Sequence, residues 1–216
     1  LIVATLRCLL EFYNVTMPLT VQPSFVLSVE TEELRIAAGL QDRVIQCYEG
    51  LVYMDFDKAY ARQVENFTTY AYEPLDTTWL PNFYVAYHTD LSEPTETFHN
   101  DIRGRYNRGE AVVVNAMQHF ADIAAQGREA ILARDVDKLS ALIDENFNMR
   151  RSIYTLPRWQ EAMVETARSC GASAKFAGSG RAIVGIYRDA AMLQELEQAM
   201  AAIGSRVIKP QIRDTQ

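Results

Sequence analysis

An aspartate and an arginine stand side by side in "GLQDRV", Gly39 to Val44. The pair falls between the apolar, acidic run "PSFVLSVETEELRIAA" and the run "IQCYEGLVYMDF". A carboxylate at the start of a helix can serve two ends. It can cap the first turn and complement the helix dipole. It can also orient and deprotonate a substrate hydroxyl, with Arg43 as its positive neighbour. The residues alone leave Asp42 open to both readings.

Two further clusters could carry chemistry. "GASAKFAGSGRAIV" places small residues at Gly171, Ala172, Ala174, Ala177, Gly178 and Gly180, with Ser179 and Arg181 among them. Glycines let a backbone approach a ligand closely, and they equally permit a tight hairpin packed under a helix. "NMRRSIY" holds the adjacent pair Arg150 and Arg151 near a helix C-terminus. Such a pair either complements the dipole in solvent or reads an anion through a guanidinium fork.

The elements that must position these residues follow from periodicity and punctuation. Leu6, Leu9, Leu10 and Tyr13 recur at helical spacing, which predicts a helix from the start to about Phe12. Pro18 and Pro23 interrupt it. Pro23 suits the first turn of a second helix running to about Ala38, with Gly39 as its stop. A short helix from Asp42 and a strand at "GLVYMDF" come next. "FTTYAYEPL" and "FYVAYHT" are rich in Tyr, Phe, Thr and Val and predict further strands. From Pro94 the pattern turns to three amphipathic helices, followed by a fourth after Pro157. Strand, glycine turn, strand, helix and strand then close the chain, an α+β pattern.

Composition bounds the function. The chain has 216 residues, 49% hydrophobic and 23% charged, enough for one domain or two small lobes with a real core. A net charge of −7 argues against non-specific nucleic-acid or anionic-membrane partners. Cys8, Cys47 and Cys170 are far apart and form no CxxC motif. Neither a disulfide framework nor a zinc site is implied, and a reducing cytoplasmic setting is expected. "LIVATLRCLLEFY" is too short to span a bilayer, and Arg7 and Glu11 interrupt it as a signal sequence. Because the chain opens on Leu1, already inside a helical pattern, it reads as the remainder of a longer protein.

Taken together and in order, "AAGLQDRVIQCYEGLVYMDF", "NFNMRRSIY" and "ARSCGASAKFAGSGRAIVGIY" resemble the GHMP small-molecule kinases, and among them the glucuronokinases. "LIVATLRCLLEFYNV" and "LSEPTETFHNDIRGRY" extend the resemblance over almost the whole chain. It implies a two-lobe α+β architecture: part of an N-terminal lobe over residues 1–80, then a ferredoxin-like C-terminal lobe with extra helices over 81–216. It implies ATP as co-substrate, Mg²⁺ as the metal and a sugar acid as the acceptor. The reaction would be phosphoryl transfer to the anomeric hydroxyl of D-glucuronate. Other sugar acids such as galacturonate, neutral sugars, and a non-catalytic binding relative remain alternatives.

By the same resemblance Asp42 takes the position of the catalytic aspartate, with Arg43 beside it and Gly39 at the acceptor. Residues Ala177, Gly178, Ser179, Gly180 and Arg181 match the C-terminal glycine motif at the phosphates. Members of the family usually carry another glycine where Arg181 stands. Glu30 is the candidate metal ligand, with Glu32 and Glu33 as competitors and a solvated acidic helix face as the plain alternative. A uronate needs a fixed positive partner, for which Arg150 and Arg151 are the first candidates. His99, Arg103 and Arg105 form a second set on another element. The glycine- and serine-rich nucleotide loop of these kinases would precede Leu1. Residues 1–216 by themselves are therefore not expected to phosphorylate a substrate at a useful rate, since an acidic chain needs that cradle of N–H groups to receive a triphosphate.

Overall fold

The computed structural model describes residues 1–36, 38–89, 96–178 and 180–212, with the side chains of 96–101 outside the description. The chain divides into two compact units, one built on Leu1–Thr78 and one on Trp79–Gln211. Among the described residues no helix is long and apolar enough to cross a membrane.

The first unit opens with helix α1 (Ile2–Phe12), which turns Val3 and Leu6 inward. Helix α2 (Gln22–Ser28) carries Pro23 in its first turn, where a missing N–H costs nothing. Helix α3 spans Leu40–Tyr48. Val3, Leu6, Val26, Val44, Cys47 and Tyr48 form one buried cluster across the three helices. Full burial of valines such as Val26 and Val44 contributes about 1.5–3 kcal/mol each. Arg7 adds a polar tie by donating to the Cys47 carbonyl at 3.0 Å.

Strand β1 (Leu51–Asp55) pairs antiparallel with β4 (Ala71–Leu75), Leu51 opposite Leu75 and Asp55 opposite Ala71. Strands β2 (Arg62–Val64) and β3 (Phe67–Thr69) make a separate hairpin. The run "FTTYAYEPL", expected as one strand, is thus two strands in two different sheets. The residues of β2 have no apolar alternation, and sequence periodicity does not reveal them.

The second helix also departs from expectation. Its α-helical part ends at Ser28, and Val29–Glu33 widens into a π-helical turn. The Leu34 N–H donates to the Val29 carbonyl at 3.1 Å, five residues back. Arg35 then enters the left-handed region at φ 55°, which ends the helix well short of Ala38. Gly39 is therefore no helix stop. It is extended, at φ −116° and ψ 151°, and forms the N-cap of α3.

The second unit is a four-stranded antiparallel sheet in the order β6-β7-β5-β8. Its strands are β5 (Phe83–His88), β6 (Lys175–Phe176), β7 (Ala182–Ile186) and β8 (Ser205–Ile208). Helices α4 (Glu96–Asn107), α5 (Ala111–Ala133), α6 (Val136–Ile153) and α7 (Arg158–Ser169) lie between β5 and β6 in the chain. Helix α8 (Ala190–Ala202) links β7 to β8. With the first and third strands central, this is a βαββαβ, ferredoxin-like arrangement with added helices. Its core joins Tyr84 and Ala86 of β5, Met163, Val164 and Ala167 of α7, and Met192, Leu196 and Met200 of α8.

Candidate active site

Asp42 is the third residue of α3, in the turn where the helix dipole favours a negative charge. It makes no side-chain cap, and its side chain is 74% exposed. The carboxylate faces solvent from a rigid element. Arg43 anchors the neighbourhood. Its Nη1 lies 3.3 Å from Asp42 Oδ2 and donates to the Gly39 carbonyl at 3.2 Å, while its Nε donates to Glu30. Arg43 and Glu30 are each only 13% exposed. The hydrogen bond to Glu30 raises the Arg43 pKa against an opposing effect of burial. One guanidinium thus ties the π-helical turn, the N-cap backbone and the exposed carboxylate together.

Glu30 sits on the π-helical turn, a widened geometry common at functional positions. Among the described residues no three His, Cys, Asp or Glu side chains converge as a metal cage. A magnesium ion bound with a nucleotide needs only one or two carboxylates, because phosphates and water fill the other positions. Glu30 fits that smaller role, although Arg43 holds one of its oxygens here.

In the second unit, residues 177–181 connect β6 to β7. The Ala177 N–H donates to the Ala182 carbonyl at 2.9 Å, so the glycine-rich stretch is a hairpin turn. Gly180 has φ 113°, and a Cβ there would stand 2.6 Å from Gln160 Oε1. No other residue type fits that position without displacing Gln160. Gly178 and Ala177 are exposed, and Arg181 is half-buried. Ser179 lies outside the described residues.

Side chains from three elements hold the approach to this turn. Asp144 Oδ1 on α6 accepts from the Ala174 N–H at 2.9 Å and from Arg168 Nε at 2.9 Å. Arg168 Nη2 donates to the Ala174 carbonyl at 3.2 Å. The buried Tyr84 hydroxyl donates to the Ser173 carbonyl at 3.0 Å, and burial pushes its pKa up. Arg150 reaches the turn itself, with Nη1 donating to the Gly178 carbonyl at 2.9 Å. Its guanidinium lies 5.1 Å from the Tyr154 ring centre and 5.2 Å from that of Phe176. Arg150 and Gly178 are therefore brought together, 28 residues apart in sequence.

Arg151 is exposed, its guanidinium 5.9 Å from the Phe147 ring centre. Arg103 on α4 is exposed as well. Arg105 is committed elsewhere, donating to Glu110 and to the Ile153 carbonyl at 2.8 and 2.7 Å. The side chain of His99 lies outside the described residues. Gln160, Asp144 and Arg168 carried no sequence signal, because each acts through a tertiary contact rather than a motif.

Residues 128–206 match the family of GHMP kinases C terminal. Glucuronokinase 1 of Arabidopsis thaliana is 40% identical over 186 residues, 84% of this chain and 50% of that protein. Residues 128–206 thus form a GHMP kinase C-terminal domain. The chain spans half the length of the plant relative it matches. Among solved structures, phosphomevalonate kinase from Streptococcus pneumoniae superposes with a TM-score of 0.75 at 15% identity, covering 98% of this chain and 68% of that one. Mevalonate kinase from L. major superposes at 0.69 and 20% identity, covering 98% and 65%. At such identities the shared property is the fold, and the α+β GHMP kinase architecture is the one found here.

Proposed function

We propose that this chain is part of an ATP-dependent sugar 1-kinase that phosphorylates the anomeric hydroxyl of D-glucuronate. The observation that carries the reading is the Glu30–Arg43–Asp42 network at the start of α3. Phosphoryl transfer asks the protein mainly for positioning and charge stabilisation. An exposed carboxylate on a helix whose first turn is locked by a partly buried ion pair supplies positioning. Asp42 would orient the sugar hydroxyl and take its proton as the oxygen attacks the γ-phosphorus. The bond from that phosphorus to the β–γ bridging oxygen breaks, and ADP leaves.

Glu30 would hold Mg²⁺ together with nucleotide phosphates; the ion's chemistry is to neutralise charge on the transferred group. The exposed residues Ala177 and Gly178 would face phosphate oxygens, with Ser179, Gly180 and Arg181 as the rest of that motif. Arg150 and Arg151 are the cations for the sugar carboxylate, with His99 and Arg103 as the second set. The sugar assignment leans on the 40% identity to a glucuronokinase.

Asp42→Asn in the gene-encoded protein tests the reading. It should lower kcat roughly 10²–10⁴-fold, the worth of general acid–base help, with an unchanged melting temperature. A near-normal kcat would remove Asp42 from the chemistry.

A further inference from the structure

One guanidinium on α4 joins three helices at the end of α6. Arg105 Nε donates to Glu110 Oε2 at 2.8 Å, and its Nη1 donates to the Ile153 carbonyl at 2.7 Å. Glu110 is the N-cap of α5 but makes no side-chain cap there, and Ile153 is the last residue of α6. Arg108 Nη2 takes the other oxygen of Glu110 at 2.9 Å. Hydrogen bonds from Arg105 and Arg108 hold the Glu110 carboxyl below the usual carboxylate range. The two arginines differ in setting. Arg105 is 23% exposed and reaches α6, whereas Arg108 is 64% exposed and bonds only within the α4–α5 turn among the described residues.

The last carbonyls of a helix have no partner inside it and carry the negative end of its dipole, so a guanidinium there satisfies both. Beneath this contact Ile102 of α4, Val113 and Ala116 of α5 and Ile153 form one buried cluster, with Met149 and Tyr154 packed against it. Arg150 belongs to the same last turn. Its carbonyl accepts from the Tyr154 N–H at 3.1 Å, and its guanidinium lies beside the Tyr154 ring. That guanidinium then donates to the Gly178 carbonyl in the glycine turn. Contacts run unbroken from Arg105 to Gly178.

We propose that Arg105 is a positioning residue, which by clasping Ile153 to Glu110 fixes the last turn of α6 and through Arg150 sets where the glycine turn stands. Without it the Ile153 carbonyl loses its side-chain donor, the turn frays, and Arg150 and Tyr154 shift together. Only the ligand chosen to report that shift rests on the kinase reading.

Titration of the gene-encoded protein with Mg-ATP tests this in a double-mutant cycle with Arg150. Arg105→Met should weaken binding about three- to tenfold, within the range of coupling between residues that share contacts. In an Arg150→Met background the same substitution should add less than about twofold, because the route to the turn is already cut. Arg105→Lys, able to reach one partner at a time, should fall between parent and Arg105→Met. Arg108→Met keeps the bond to Ile153 and should stay within about twofold of the parent. Equal losses from Arg105→Met in both backgrounds would overturn the proposal, since a general loss of stability is blind to Arg150. So would unchanged affinity in Arg105→Met, even with a lowered melting temperature. The cycle needs no acceptor, so a wrong sugar assignment leaves it readable, whereas a parent that binds no Mg-ATP overturns this role and the kinase reading together.

Discussion

The start of α3 and the glycine turn handle charge in opposite ways. At α3 a partly buried arginine is matched by a partly buried glutamate, and the exposed aspartate is held beside them. At the turn, the half-buried Arg150 makes no ion pair among the described residues; it donates to the Gly178 carbonyl and lies beside the Tyr154 and Phe176 rings. The first region spends its charges on its own rigidity. The second spends its arginine on a backbone carbonyl and two aromatic rings. Removing a charge should therefore have opposite consequences for stability in the two places.

The largest stability effect should come from Glu30→Ala. It strands the Arg43 guanidinium and should cost about 3 kcal/mol, the lower end for breaking a buried pair. Urea unfolding checks this, and a loss below about 1 kcal/mol would mean the pair behaves as a surface bridge. Next comes Tyr84→Phe, which leaves the Ser173 carbonyl without its side-chain donor and should cost about 1–2 kcal/mol. A neutral result would show that the approach to the turn is held by Asp144 and Arg168 without it.

The smallest effect is the most informative. Lys175→Met should be neutral or slightly stabilising, because partial burial works against the ammonium. The sign with pH follows from the lowered Lys175 pKa. Between that lowered value and the unfolded value near about 10.4, the unfolded chain binds more protons than the folded one. Stability without ligand should thus rise with pH through this window relative to Lys175→Met. If parent and variant show parallel pH profiles in chemical denaturation, Lys175 is not under electrostatic stress.

Much of the fold is legible from residue patterns. The extent of α1, Pro23 at the start of α2, the aromatic strands and the β6–turn–β7–α8–β8 order all follow from periodicity and turn chemistry, although α1 buries Val3 and Leu6 and leaves Leu9 and Tyr13 exposed. The π-helical turn is not, because "VETEEL" reads as ordinary helix and only Arg35 in the left-handed region ends it. Nor is the split of "FTTYAYEPL", where two different partner strands override local propensity. At the site, Asp42 and Arg43 are visible as neighbours in sequence. Glu30 as the partner of Arg43, Arg150 at the Gly178 carbonyl and Gln160 under Gly180 depend on contacts between elements, which no local pattern encodes.

The most direct test of the account is the product. Phosphorus NMR should follow the gene-encoded protein with Mg-ATP and D-glucuronate, alongside D-glucose and D-galacturonate as competing acceptors. The account predicts an anomeric sugar phosphate formed from D-glucuronate in preference to the others, with one ADP per product. Equal phosphorylation of D-glucose, or ATP consumption with no anomeric phosphate, would contradict it.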